Sequence, residues 1–89
     1  MFYSAFERAK SCLVNKEYKE ILPLCDEELS DETSKHTGEC LLLRGTFRLL
    51  QGMGITALED LEKIIEMEGL SPKVIIRCRV ALMKFVDGW

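Results

Sequence analysis

The sequence lacks what would mark a nucleic-acid binder, a membrane-spanning protein or a metalloenzyme. Its 12 Lys and Arg stand against 15 Asp and Glu, a formal net charge of −3. No basic field is available to neutralise a phosphate backbone, so nucleic acid is not an expected partner. No apolar run approaches the roughly 20 residues that cross a bilayer, so any membrane association is expected to come from sequence outside this chain. The one histidine, His36, and four cysteines without CxxC spacing make a poor zinc site. No metal or cofactor is expected. No N-terminal signal pattern is visible, and Cys12, Cys25, Cys40 and Cys78 sit in apolar helical stripes. They read as reduced thiols in a cytosolic compartment, not as a disulfide framework.

What remains is a chain of 89 residues with 47% hydrophobic content, enough for one compact domain with a modest core. A large catalytic cleft is not expected. His36 and Cys40, four residues apart, are the sole candidates for a base and a nucleophile. A buried structural cysteine beside an exposed loop histidine is the preferred reading, so the chain is not expected to be an enzyme. The acidic run from Asp26 to Glu32 reads as a helix end and loop. Glu59, Asp60, Glu62, Lys63, Glu66 and Glu68 read as a solvated helix face with ion pairs.

A shift of 36 residues lays the chain on itself. Arg8, Ala9, Leu13 and Val14 fall on Arg44, Gly45, Leu49 and Leu50, while Ile21, Leu22, Cys25 and Leu29 fall on Ala57, Leu58, Leu61 and Ile65. The same shift again carries Gly45, Phe47, Arg48, Leu49, Leu50 and Gly52 onto Ala81, Met83, Lys84, Phe85, Val86 and Gly88. An all-α fold is expected, a solenoid of antiparallel helix pairs with about five helices. It divides into a degenerate repeat over 1–35, a full repeat over 36–70 and the first helix of a further repeat over 71–89.

Apolar spacing predicts helices over about 3–14, 17–30, 38–51, 55–68 and 72–86. Pro23 inside the second predicts a kink or a late start, since proline in a regular helix costs about 3 kcal/mol. Gly52 and Gly69 stop the third and fourth helices. Ser71 and Pro72 read as the N-cap and first residue of the fifth. Gly45 and Ala57 are small where two helices of a pair cross, and Leu41, Leu61 and Ile64 fill the spaces between turns.

This pattern, carried best by Leu41, Gly45, Gly52, Ala57, Leu61 and Ile64, resembles the tetratricopeptide (TPR) repeat. Ala9, Ile21 and Cys25 in the first repeat depart from it, as does Arg48 where a tyrosine is common. Three stretches, KEYKEILPLCDEEL (16–29), ECLLLRGTFRLLQG (39–52) and ALEDLEKIIEM (57–67), resemble the Tom70 family of mitochondrial import receptors, in the repeats that open its C-terminal preprotein-binding part. The resemblance fades after about Val80. It implies a protein-binding module of a translocase receptor on the cytosolic face of the mitochondrial outer membrane, excised or truncated from a longer anchored protein. The implied partners are mitochondrial preproteins with hydrophobic or internal targeting segments, and chaperones in the intact receptor.

In such a stack the first helix of each pair lines the concave face. The period then assigns three ridges to it: Tyr3, Phe6, Lys10, Leu13 and Val14; Leu42, Thr46, Leu49 and Leu50; and Cys78, Leu82, Phe85 and Val86. The expected preprotein-binding groove consists of Phe6, Lys10, Leu13, Leu42, Thr46, Leu49, Leu50, Leu82 and Phe85. Leu42, Leu49 and Leu50 read equally well as core. The other use of these repeats, a co-chaperone adaptor gripping the C-terminal carboxylate of Hsp70 or Hsp90, resembles a site of lysine, asparagine and arginine. Phe6, Leu42 and Leu43 stand at comparable positions here and only Lys10 is suitably charged, which disfavours a clamp. A purely structural fragment is the remaining alternative. Phe85, Val86 and Trp89 have no following helix to cover them, so self-association through that end is expected.

Overall fold

The structure, a computed structural model, describes residues 4–88, with side-chain surroundings described for residues 4–84. Helix α1 (Ala5–Val14) begins after Ser4, whose Oγ accepts the Glu7 N–H at 3.2 Å. A second N–H of the same end, that of Phe6, donates to Glu28 Oε1 at 2.9 Å. A carboxylate from the next helix therefore completes the cap that one serine cannot supply alone.

A 3₁₀ turn over Tyr18–Glu20 leads into α2 (Ile21–Leu29). The late start accommodates Pro23, which becomes the third helical residue, where an N–H has no intrahelical partner to lose. Helix α3 (Thr37–Leu50) closes on Gly52 at φ +80°. There the Met53 N–H donates to the Arg48 carbonyl at 2.8 Å and the Gly52 N–H to that of Leu49 at 3.1 Å, a Schellman closure that favours glycine. Helix α4 (Gly54–Glu66) ends before Gly69, which also has positive φ. Helix α5 (Pro72–Gly88) starts as expected, with Ser71 Oγ accepting the Val74 N–H at 3.4 Å.

The fold is all-α over the described residues, with five α-helices in the order given. Consecutive helices pack on one another, and α3 also touches α5, so these two odd-numbered helices share a side of the stack. Ala9, Ile21 and Cys25 form one core cluster between α1 and α2, with Leu43 and Phe47 of α3 against it. Leu41, Leu61, Ile64, Val74, Cys78 and Ala81 form another among α3, α4 and α5. The small residues spaced by 36 along the chain, Ala9, Gly45 and Ala81, are all buried. At Gly45 the approach is closest: a Cβ there would lie 3.1 Å from Leu61 Cγ and Cδ2 and 3.3 Å from Asp60 Cβ.

One expectation about charge is corrected. Asp60 is not on a solvated face but 1% exposed. It accepts from Arg44 Nη2 at 2.7 Å, Arg44 Nε at 3.0 Å and Arg48 Nη1 at 3.1 Å. Arg48, where a tyrosine was the norm, is thus half of an α3 clamp on an α4 carboxylate. These hydrogen bonds to Asp60 raise the Arg44 pKa, outweighing its partial burial. The acidic run is, as expected, the end of α2 and the loop after it, and it also supplies polar ties. Asp26 binds Arg44 at 2.7 Å, Glu27 pairs with Arg8, Glu28 caps α1, and Asp31 accepts from both the N–H and Oγ1 of Thr33. Tyr3 and Trp89 lie outside the described residues, as do the side chains of Phe85 and Val86, so the self-association expectation falls beyond them.

Candidate functional site: a cleft between odd-numbered helices

In α3, Leu42, Leu43, Thr46, Leu49 and Leu50 recur at helical spacing and share one face, while Leu41 and Gly45 turn toward α4. That face forms the middle of an open cleft of about 750 Å³, walled by α1 on one side and α5 on the other. Phe6 and Leu49 are deep in it, each 5% exposed. Leu13, Leu50, Ile76 and Val80 are the accessible apolar side chains, between 41% and 72% exposed.

Seven of the nine residues expected to form a groove line this cleft: Phe6, Lys10, Leu13, Leu42, Thr46, Leu49 and Leu50. Leu82 does not. It packs half-buried against the cluster of Leu41, Leu61 and Ile64. Cys78, assigned to the same ridge, is also core, its Sγ donating to the Leu61 carbonyl at 3.3 Å. Val14 is 80% exposed outside the cleft, and the Phe85 side chain is beyond the described residues. The error is one of rotation. Successive helical residues turn by about 100°, so reading α5 one position late moves a whole stripe from the core side to the cleft side.

The face that α5 does present is Lys73, Ile76, Arg77, Val80 and Lys84, at i, i+3, i+4, i+7 and i+11. Glu39 and Leu43 also line the cleft unforeseen. A basic and apolar stripe at this spacing was the available signal. The walls are therefore more cationic than Lys10 alone implied. Lys10 Nζ sits 4.7 Å from the Phe6 ring centroid, and that ring stacks on His36 at 4.9 Å. Lys10, Lys73 and Arg77 have no carboxylate within 4 Å among the described residues.

Cys40 and His36, the candidate reactive groups, have different surroundings. Cys40 is fully buried; its hydrogen bond with Cys25, then burial, raises its pKa and keeps the thiol protonated. His36 instead lies on the Phe6 ring with Nδ1 at 3.7 Å from Glu39. Among the described residues, no group of three His, Cys, Asp or Glu side chains is arranged to hold a metal ion.

Over 71 residues, 80% of its length, the chain is 35% identical to the mitochondrial import receptor subunit TOM70 of Rattus norvegicus, and equally to those of Mus musculus and Homo sapiens. The chain resembles the Tom70 repeats. It spans only 12% of the length of those Tom70 relatives. No family profile and no solved structure matches it. No helix of this Tom70-like module, among the described residues, is long and apolar enough to cross a membrane.

Proposed function

We propose that the chain is a TPR module of a mitochondrial preprotein import receptor, with one degenerate repeat over 1–35, a full repeat over 36–70 and the first helix of another over 71–89. Its cleft holds hydrophobic or internal targeting segments of preproteins. The observation that carries this reading is that Leu13, Leu50, Ile76 and Val80, exposed and drawn from three helices, face one cleft. A segment laid across them removes apolar surface from water at roughly 25 cal/mol per Å². The Tom70 likeness supports a setting, proposed here, on the cytosolic face of the outer membrane, within a longer anchored protein that also receives chaperones.

The test is a titration of the chain with a hydrophobic carrier-derived peptide and with a peptide ending in an acidic chaperone tail. The first is expected to bind, and Leu50→Asp should weaken it about tenfold, the value of one lost leucine contact. Salt-sensitive binding of the tail alone would overturn the reading in favour of a co-chaperone adaptor.

A further inference from the structure

The charge of the cleft is opposite in sign to that of the chain. Among the residues whose side chains are described, its lining contains four basic residues, Lys10, Lys73, Arg77 and Lys84, and one acidic residue, Glu39. Over those residues the local balance is +3, on a chain whose net charge is −3. Three of these cations have no carboxylate partner among the described residues. The ion pairs of the described residues use Arg8, Arg44, Arg48 and His36, leaving Lys10, Lys73 and Arg77 without a carboxylate within 4 Å. Their placement is two-sided, Lys10 on α1 and the others on α5, with the apolar face of α3 between them.

We infer that the cleft selects an amphipathic polypeptide segment whose apolar stripe is bordered by Asp or Glu, and discriminates against one bordered by Lys or Arg. The inference rests on the reading of the cleft as a polypeptide site. The apolar stripe of the partner covers Leu50, Ile76 and Val80, while its carboxylates meet the cations on either wall. Lys73 and Arg77 are four residues apart, about 6 Å along the helix, so carboxylates at i and i+4 of a partner helix match them. A basic border would instead bring like charges against unpaired cations, which disfavours both encounter and residence.

The experiment uses the 89-residue chain and three peptides with the same leucine stripe and amidated C-termini, carrying Glu, Gln or Lys at the bordering positions. At about 0.05 M salt, the Glu peptide should bind about tenfold more tightly than the Lys peptide, with Gln between them, since each exposed ion pair contributes modestly. At about 0.5 M salt the gap should shrink to about twofold. The double variant Lys73→Glu with Arg77→Glu changes two exposed positions and should fold as the parent does, verified by circular dichroism, but reverse the order of Glu and Lys peptides. Equal binding of all three peptides at low salt would overturn the charge selection while leaving the apolar cleft intact. A preserved order in the double variant would also overturn it. Binding by none of the three would overturn the cleft reading and this inference together.

Discussion

Replacing Asp60 by alanine should remove the strongest polar tie between α3 and α4. Its carboxylate is 1% exposed and accepts three hydrogen bonds at 2.7 to 3.1 Å from two guanidiniums. The side chains of Arg44 and Arg48 are only 15% and 21% exposed, so neither regains full hydration when the anion is lost. Breaking a buried pair from one side costs about 3–5 kcal/mol. Arg44 retains Asp26 at 2.7 Å and Arg48 is partly solvated, which favours the lower end, about 3 kcal/mol. A chain of this size has about 4–13 kcal/mol of stability in all, and 1 kcal/mol moves its melting point by about 4–8 °C. The expected fall is therefore about 12–24 °C in thermal circular dichroism, with a matching loss in the urea midpoint at unchanged slope. A fall below about 3 °C would refute the assignment of Asp60 as a buried anchor. Replacing Asp60 by leucine together with Arg44→Met and Arg48→Met should recover most of the loss, because the cost lies in stranded charge.

Three other outcomes follow from the packing. Gly45→Val should lower stability by about 1–3 kcal/mol in urea denaturation, because its new atoms meet Leu61 and Asp60 where α3 and α4 cross; an unchanged midpoint would contradict that close approach. The Glu28 carboxyl is held below its ordinary pKa by the hydroxyl of Ser34 and then the N–H of Phe6. Its stabilising contribution is present above the unfolded carboxylate pKa of about 4.3 and disappears as pH falls through its lower folded value. Glu28→Gln should therefore be less stable at neutral pH and lose less on acidification; parallel stability curves for the two proteins would contradict this. Iodoacetamide on the folded chain should label the partly exposed Cys12 first and reach Cys25, Cys40 and Cys78 only on unfolding, whereas rapid, pH-dependent labelling of Cys40 would reopen the catalytic reading.

Much of the architecture was legible because its signals are local or periodic. Gly52, Ser71 and Pro72 announce their helix ends through conformations and caps that few other residues supply. The 36-residue recurrence of Ala9, Gly45 and Ala81 falls on buried positions, and at Gly45 even a Cβ would lie 3.1 Å from Leu61. The side of α5 that faces the cleft was not legible in the same way. Val74, Ile75, Ile76, Val80 and Leu82 spread apolar character around that helix, so periodicity alone does not separate the cleft stripe from the buried one to which Cys78 and Leu82 belong. Asp60 was misread for a related reason. Its charge outweighed its position, although it stands among Ala57, Leu61 and Ile64 at i, i+3, i+4 and i+7. A carboxylate on a buried stripe, opposite arginines spaced by four in the preceding helix, is the pattern that would have found it. Glu28 is harder, because its partners lie 22 residues upstream at Phe6 and in the following loop at Ser34.

The central claim, that the cleft of α1, α3 and α5 is the polypeptide-binding surface, is tested most directly by methyl NMR during titration with a hydrophobic carrier-derived segment. The account predicts that the methyl signals of Leu13, Leu50, Ile76 and Val80 move together and saturate at one affinity. Ile55 and Ile65 on α4, 77% and 60% exposed, offer competing apolar surface outside the cleft. Shifts centred on those two isoleucines, with the cleft signals unmoved, would contradict it.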